Sequence, residues 1–176
     1  MGSFMERTLR YDRKTIALHW WTAVLVIGLW VMGRTTGWMP RGPLRVDVWS
    51  VHILLGLVLA GVVIARIGWR TTRGRRLPPA RHGIRHAIAV VVHWLLYAAL
   101  IGVTGLGIAN VFGHGFPMFN GTRLPKIADQ RLCDWIAHWH DLAANIIAVL
   151  VAVHVMGALY HRFFERDDVL ARMSLR

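Results

Sequence analysis

The 176-residue sequence has little cysteine, and that shortage excludes several kinds of cofactor site. Cys133 is the only cysteine, which rules out a disulfide framework, a zinc site built on cysteine pairs and an iron–sulfur cluster held by four cysteines. Covalent haem attachment through a C-x-x-C-H motif is excluded for the same reason. Any cofactor must therefore be held by other side chains.

Charge is also scarce, and most of it has one sign. Only 17% of the residues are charged and 55% are hydrophobic, while Lys and Arg outnumber Asp and Glu by 21 to 9. This composition is too apolar for an ordinary soluble domain. A basic excess is typical of proteins that contact an anionic bilayer and of proteins that bind nucleic acid. The distribution of charge along the chain has to distinguish these two classes.

Four stretches are apolar enough to cross a hydrocarbon layer, which takes about 20 residues as a helix. They cover residues 16–34, 46–69, 84–110 and 132–163. A short basic head, three connecting loops and a short tail account for the other residues, which leaves no room for a separate soluble domain. The sequence therefore predicts an all-α, integral membrane four-helix bundle that forms a single domain over residues 1–176.

The positions of the basic residues predict how the bundle is oriented. Of the 21 Lys and Arg, 15 lie in the head, between residues 66 and 85, or in the tail, and six lie toward the other side. The positive-inside rule then places both termini and the linker between the second and third spans in the cytoplasm. Nucleic-acid binding is excluded on the same evidence, because this linker is a short loop without interleaved aromatic platforms.

Histidines within the predicted spans mark two depths in the membrane. An ionisable side chain in a span is costly and indicates a functional site by default. His19 and His154 lie toward the cytoplasmic side, whereas His52 and His140 lie toward the outer side. His140 and His154 are 14 residues apart, close to four turns, so they share a face of the fourth helix about 21 Å apart along its axis.

Matching the depths pairs His19 with His154 and His52 with His140. Two neutral imidazoles that face each other across a slot are how a helical bundle holds haem b at both axial positions. Zinc and copper fit less well, because no Asp, Glu or Cys at these depths completes a site for them. We therefore expect two non-covalent haem b groups, one above the other across the membrane.

Small residues beside the ligands fit the same interpretation. Gly56 follows His52 by four residues and Gly157 follows His154 by three, so each slot has a position without a side chain where a flat ring could approach the backbone. Each glycine taken alone also fits ordinary close packing of helices in lipid.

His93 lies in the third span near the depth of His19 and His154. It could replace one of them as a ligand, hydrogen-bond a haem propionate or shape a quinone pocket. We expect it to support the cofactor site rather than to ligate iron.

Short motifs around these histidines resemble a known family. They are L-H-W at His19, V-H-x-x-x-G at His52, W-H-D-x-x-A-N from Trp139 to Asn145, and A-L-Y-H-R-F-F followed by D-x-L-x-R-M from Asp168 to Met173. Together they resemble the bacterial cytochrome b561 family of four-helix, two-haem membrane proteins, over nearly the whole chain. The resemblance implies a multi-pass protein of the bacterial inner membrane with ligation by the two histidine pairs named above.

The resemblance also implies an activity. One branch of the family oxidises periplasmic superoxide and passes the electrons through two haems to ubiquinone, so we expect this chain to be a superoxide:quinone oxidoreductase. The alternative is a quinone-linked electron relay or haem-bearing anchor that serves a periplasmic redox partner.

Six basic residues on the predicted outer side provide a physical basis for the superoxide hypothesis. They are Arg34, Arg41, Arg45, Arg123, Lys126 and Arg131. With only a few Asp nearby, they form a net-positive mouth that would concentrate a small anion. The same cations would also suit lipid headgroups or haem propionates.

Overall fold

Four long helices make up most of the protein. The computed structural model describes residues 10–75, 77, 83–121, 123–165 and 168–174. The helices are α1 (Arg13–Thr36), α2 (Pro43–Thr72), α3 (Ile84–His114) and α4 (Gln130–Tyr160). All four are long and apolar enough to cross a membrane, which confirms the predicted all-α membrane bundle. The Arg-rich linker between α2 and α3 lies partly outside the described residues.

Polar capping residues set where the helices start. Asp12 accepts a hydrogen bond of 2.9 Å from the amide of Thr15, and Asp129 accepts one of 2.8 Å from the amide of Leu132. Each carboxylate thereby satisfies an N–H group that has no partner within the first turn. Pro43 begins α2, where its missing N–H is no loss. These three helices therefore start two or three residues before the apolar runs that predicted them.

The helix ends differ from the predicted ones for local reasons. α3 continues through His114 and stops at Gly115, whose φ of 63° is the left-handed conformation that favours glycine. A Cβ at Gly115 would also lie 2.9 Å from the carbonyl oxygen of Leu124, so the loop closes tightly there. The regular part of α4 ends at Tyr160, earlier than predicted, and continues as a wider π-helical turn at His161–Glu165.

The helices run up and down, so the bundle has two distinct ends. We call the end where α1 starts and α4 finishes the terminal end, and the end that carries the α1–α2 and α3–α4 connections the loop end. α1 packs along α2 and α3 packs along α4, whereas α1 and α4 touch at few points. The two pairs meet mainly where α2 contacts α3.

A small apolar core fills the middle of the bundle. Its buried members are Leu25, Leu29, Leu59, Val63, Leu100, Val103 and Ile147. Because lipid is as apolar as these side chains, their contacts stabilise the bundle through close packing rather than through removal from water. The core therefore holds all four helices together at mid-height.

One carboxylate connects α1 to α2 at the terminal end. Asp12 accepts hydrogen bonds from the indole Nε1 of Trp69 (2.9 Å) and from the amide of Arg75 (3.2 Å), besides capping α1. Burial alone would raise the pKa of Asp12, but the bonds from Thr15, Arg75 and Trp69 together lower that pKa from 3.8 to about 2. The start of α1 is thus fastened to the end of α2.

Candidate functional site

The first histidine layer lies near the terminal end. His19 of α1 and His154 of α4 face each other with their ring centroids 6.2 Å apart and their planes at 75°. Both side chains are half-buried. The Nδ1 atom of His19 is buried and has no hydrogen-bond partner within the described part of the chain. Two of the imidazoles that the sequence matched by depth therefore do meet.

The second layer lies toward the loop end. His52 of α2 and His140 of α4 have ring centroids 6.4 Å apart and planes at 82°. Nδ1 of His140 lies 3.0 Å from the carbonyl oxygen of Val103. Since a carbonyl can only accept, this nitrogen must carry the ring proton, which leaves the Nε2 lone pair available to a metal.

The spacing in both layers fits a metal held between two opposed imidazoles. A histidine nitrogen binds a metal at about 2.0–2.1 Å, and the ring centre lies roughly 1.2 Å behind that nitrogen, so two such rings have centres about 6.4–6.6 Å apart. The observed distances are 6.2 and 6.4 Å. Among the described residues, no group of three or more His, Cys, Asp or Glu side chains could hold a free ion. The residues thus suit a metal that brings its own equatorial ligands, as haem does.

Three glycines show where the helices leave space for a side chain near the histidine layers and where they do not. A Cβ built at Gly56 or Gly157 meets nothing within 4 Å, so neither glycine serves close helix packing within the described part of the chain. Gly107 of α3 is different, because a Cβ there would lie 3.0 Å from Cε1 and 3.3 Å from Nδ1 of His140. The sequence analysis missed Gly107, although an interior glycine in a span is a signal for close approach.

His93 joins the layer at the terminal end. Its ring centroid lies 5.1 Å from that of His154, at 86°, and its Nδ1 donates to the carbonyl oxygen of Ala89 at 2.6 Å. The 5.1 Å separation is shorter than two rings on opposite sides of one metal require. His93 therefore packs edge-on against His154 rather than facing it across a slot.

Comparisons with known proteins fit this geometry. Residues 10–174 match the family model described as prokaryotic cytochrome b561. The chain belongs to this family. Membership gives b-type haem binding and membrane electron transfer, and with four membrane-spanning helices it makes the protein a multi-pass protein of the bacterial inner membrane.

Relatives within the family carry different names. The chain is 28% identical to cytochrome b561 homolog 2 of Escherichia coli (strain K12), over 97% of this chain and 94% of that protein. It is 26% identical to the probable superoxide oxidase CybB of Yersinia pestis, over 93% and 95%. It is 30% identical to cytochrome b562 of Cereibacter sphaeroides, over 93% and 94%.

Arg66 of this b561-family protein is a charged residue that the sequence analysis counted only toward orientation. Its Nε donates to the hydroxyl of Tyr97 at 3.1 Å, and its guanidinium lies 5.4 Å from the centre of that ring. In the described part of the chain no carboxylate pairs with Arg66. Its charge acts on His19, His93 and His154, so the terminal-end layer lies in a positive field.

The six predicted steering cations lie at the loop end, but they are not equivalent. Arg34 forms an ion pair with Asp141 of α4. Arg45 donates to the carbonyl oxygen of Met39 at 3.2 Å and so also braces the α1–α2 loop. The side chains of the other four are exposed: Arg41, Arg123, Lys126 and Arg131.

Proposed function

We propose that the protein carries electrons through two b-type haems, one in each histidine layer, and that it oxidises superoxide and reduces ubiquinone. The observation that supports this proposal most is the pair of opposed imidazole couples, with ring centroids 6.2 and 6.4 Å apart. In this proposal His19 and His154 hold the haem at the terminal end, and His52 and His140 hold the haem at the loop end. The loop end faces the periplasm.

The chain's own groups orient the ligands. Haem b, when bound, supplies reversible one-electron chemistry. The carbonyl of Val103 fixes the tautomer of His140, so that Nε2 is the ligating atom. His93 limits the rotation of the His154 ring by its edge contact. Arg66 would offset the negative charge of propionates at the terminal end.

The stoichiometry of the proposed reaction suits two sites. Two superoxide anions release two electrons and become two O₂ molecules, and ubiquinone takes up those two electrons and two protons to become ubiquinol. Because each superoxide delivers one electron, two one-electron sites can hold what the quinone consumes. The exposed cations Arg41, Arg123, Lys126 and Arg131 support capture of an anion at the loop end. The name of the Yersinia pestis relative points to the same substrate.

Haem content of histidine variants tests the ligand sets. His52→Ala and His140→Ala should each remove the loop-end haem, while His19→Ala and His154→Ala should each remove the haem at the terminal end. Haem per purified chain should fall by about half in every case, and a redox titration should show which component is lost. His138→Ala is the matched control, because this exposed histidine lies two residues from His140. Unchanged haem content in His154→Ala would contradict ligation by His154 and indicate His93 as the ligand instead.

A reconstituted reaction tests the substrate. The purified protein should reduce ubiquinone when superoxide is generated enzymatically, and superoxide dismutase should abolish that reduction. If haem reduction instead requires an added redox protein, the alternative of an electron relay for a periplasmic partner holds and the superoxide activity does not.

A further inference from the structure

The D-x-L-x-R-M motif near the end of the chain has no part in the two histidine pairs. Its last residues, Ala171–Met173, form a short 3-10 helix. The amide of Arg172 donates to the carbonyl oxygen of Asp168 at 3.0 Å, so the motif is hydrogen-bonded within itself. Residues 168–174 therefore form a compact segment, which we call the strap.

The strap is hydrogen-bonded to α1, although it follows α4 in the chain. The amide of Tyr11, just before α1, donates to the carbonyl oxygen of Arg172 at 3.2 Å. The indole Nε1 of Trp20 donates to the carbonyl oxygen of Met173 at 3.0 Å. A tryptophan at the membrane interface ordinarily directs its N–H group to headgroups or water. Here that group instead connects α1 to the segment beyond α4.

The two bonds to α1 lie on either side of His19. Tyr11 is eight residues before His19, and Trp20 follows it directly. The rings of His19 and Trp20 have their centroids 5.5 Å apart, with planes at 57°. A side chain that is bonded to the strap thus also contacts one of the proposed haem ligands.

Met173 of the strap also lines a small cavity beside the same layer. The other walls include Leu18 of α1, Arg66 of α2 and Tyr97 of α3. Its volume is about 10 Å³, which is room for roughly one water molecule. The strap is therefore in close contact with three helices at the terminal end, next to the arginine whose charge acts on this layer.

The helices that carry the terminal-end ligands have few direct contacts with each other. His19 lies on α1 and His154 on α4, and these two helices touch at few points. A group held between them can leave when the two helices separate. Because the strap continues from α4 and is bonded to α1, such a separation at the terminal end requires its hydrogen bonds to break.

We propose that the strap retains the haem at the terminal end by holding α1 to the end of α4. The proposal rests on the proposed function and adds a role for the D-x-L-x-R-M motif. The strap is made after α4 during synthesis, so it can close only once His154 is available. The loop-end haem lies between α2 and α4 and does not depend on this closure.

Transfer of haem to an acceptor protein tests the proposal. The purified, haem-loaded protein is mixed with excess apomyoglobin, and the absorbance of the myoglobin formed gives the release rate. The His52→Ala protein contains only the terminal-end haem, and the His154→Ala protein contains only the loop-end haem. Trp20→Phe and Tyr11→Pro each remove one hydrogen bond to the strap. Each should speed release from the His52→Ala protein about three- to tenfold and leave release from the His154→Ala protein unchanged.

Two substitutions at the same places serve as controls. Trp21→Phe changes the neighbouring tryptophan, which is 62% exposed, and keeps the indole of Trp20. Tyr11→Ala removes the phenol ring but keeps the amide that donates to Arg172. Both control variants should release haem at the rate of the parent protein.

Three results would overturn the proposal. Faster release in Trp20→Phe but not in Tyr11→Pro would show that the effect comes from packing on the His19 ring. Equal acceleration for both haems would show a general loosening of the bundle. A wild-type protein without a terminal-end haem would contradict the proposed function as well, and haem content shows this before any release rate is measured.

Discussion

At the scale of single residues, the two histidine layers are held in different ways. The loop-end pair rests on backbone: His140 lies against Gly107 and donates to Val103, and His52 has its Cε1 3.7 Å from where a Cβ of Gly33 would lie. Trp49 also packs edge-on against His52, with ring centroids 5.4 Å apart. The terminal-end pair has His93 and Arg66 as neighbours. The close approach of the Gly107 backbone is therefore a feature of the loop-end pair.

Gly107 gives the first prediction. In Gly107→Val the new side chain would overlap the ring of His140, which should turn away and release the loop-end haem, so haem per chain should fall by about half. Gly105→Val is the control, since a Cβ at Gly105 meets nothing within 4 Å. Spectrophotometric haem content would measure both variants. Equal loss in the two would mean that α3 does not tolerate a branched side chain there, whatever His140 does.

Arg66 gives the second prediction. A positive charge stabilises the reduced form of a nearby redox centre, so Arg66→Gln should lower the midpoint potential of the terminal-end haem. One unit charge at an effective dielectric constant of about 20 contributes roughly 1–2 kcal/mol, on the order of 50 mV. A spectroelectrochemical titration would show the shift, with Arg73→Gln as a control at an exposed position of the same end. A potential that stays at the wild-type value would show that the Arg66 charge is screened.

At the scale of elements, the length of the apolar runs predicted the four helices, whereas polar or rigid residues beside these runs determine where the helices start. Hydropathy identifies residues that belong in lipid, but Asp12, Pro43 and Asp129 are polar or rigid residues that lie just outside such runs. The π-helical turn after Tyr160 has no signature in hydropathy at all. Spans were therefore predictable to within about a turn, and their boundaries were not.

The same distinction applies to the candidate site. Counting residues along each helix gives depth, which is why the two histidine pairs could be matched from the sequence. Which side of α3 faces α4 depends on how the helices pack, so the contacts of Gly107 and Val103 with His140 were not predictable. The ion pair of Arg34 with Asp141 was missed for the same reason. Axial ligation by the pairs stays a prediction until haem content is measured.

Asp12 gives a prediction for the α1–α2 connection. Asp12→Asn should destabilise the protein at pH 7 by about 1 kcal/mol, because a neutral side chain accepts more weakly from Thr15, Trp69 and Arg75. The folded pKa lies below the ordinary one, so the wild-type advantage is complete above pH 3.8 and is lost as pH falls toward about 2. Thermal unfolding followed by circular dichroism from pH 7 to pH 3 would test this.

Asp129→Asn is the control for that measurement. Asp129 caps α4 through Leu132 in the same way, but its bonds do not connect two helices. The Asp129→Asn substitution should therefore destabilise the protein less than Asp12→Asn does. Equal losses would show that Asp12 acts only as a helix cap.

At the scale of the whole molecule, the apolar core lies between the two histidine layers. Ile147, which is buried in that core, is halfway between His140 and His154 on α4. The layers are about 21 Å apart along the helix. In the proposed function, an electron held at the terminal end beside Arg66 is kept away from the loop-end solution until a second one arrives.

The exposed cations of the loop end give a prediction for the molecule's electric field. Arg41→Glu and Lys126→Glu should slow haem reduction by superoxide about two- to tenfold at low ionic strength, and the difference should shrink at high salt. Arg73→Glu reverses a charge at the terminal end and should have little effect. Stopped-flow rates at several salt concentrations would measure this. Rates that do not depend on salt in any variant would exclude electrostatic steering.

One consequence of placing both ligand layers on α4 concerns how such a chain can evolve. Adding or deleting one residue between His140 and His154 would swing one ring by about 100° around the helix relative to the other. Substitutions in this stretch can be frequent, because most of its side chains only need to be apolar. Insertions and deletions there would misalign the two rings, so related proteins can differ in the residues of this segment but must keep its length.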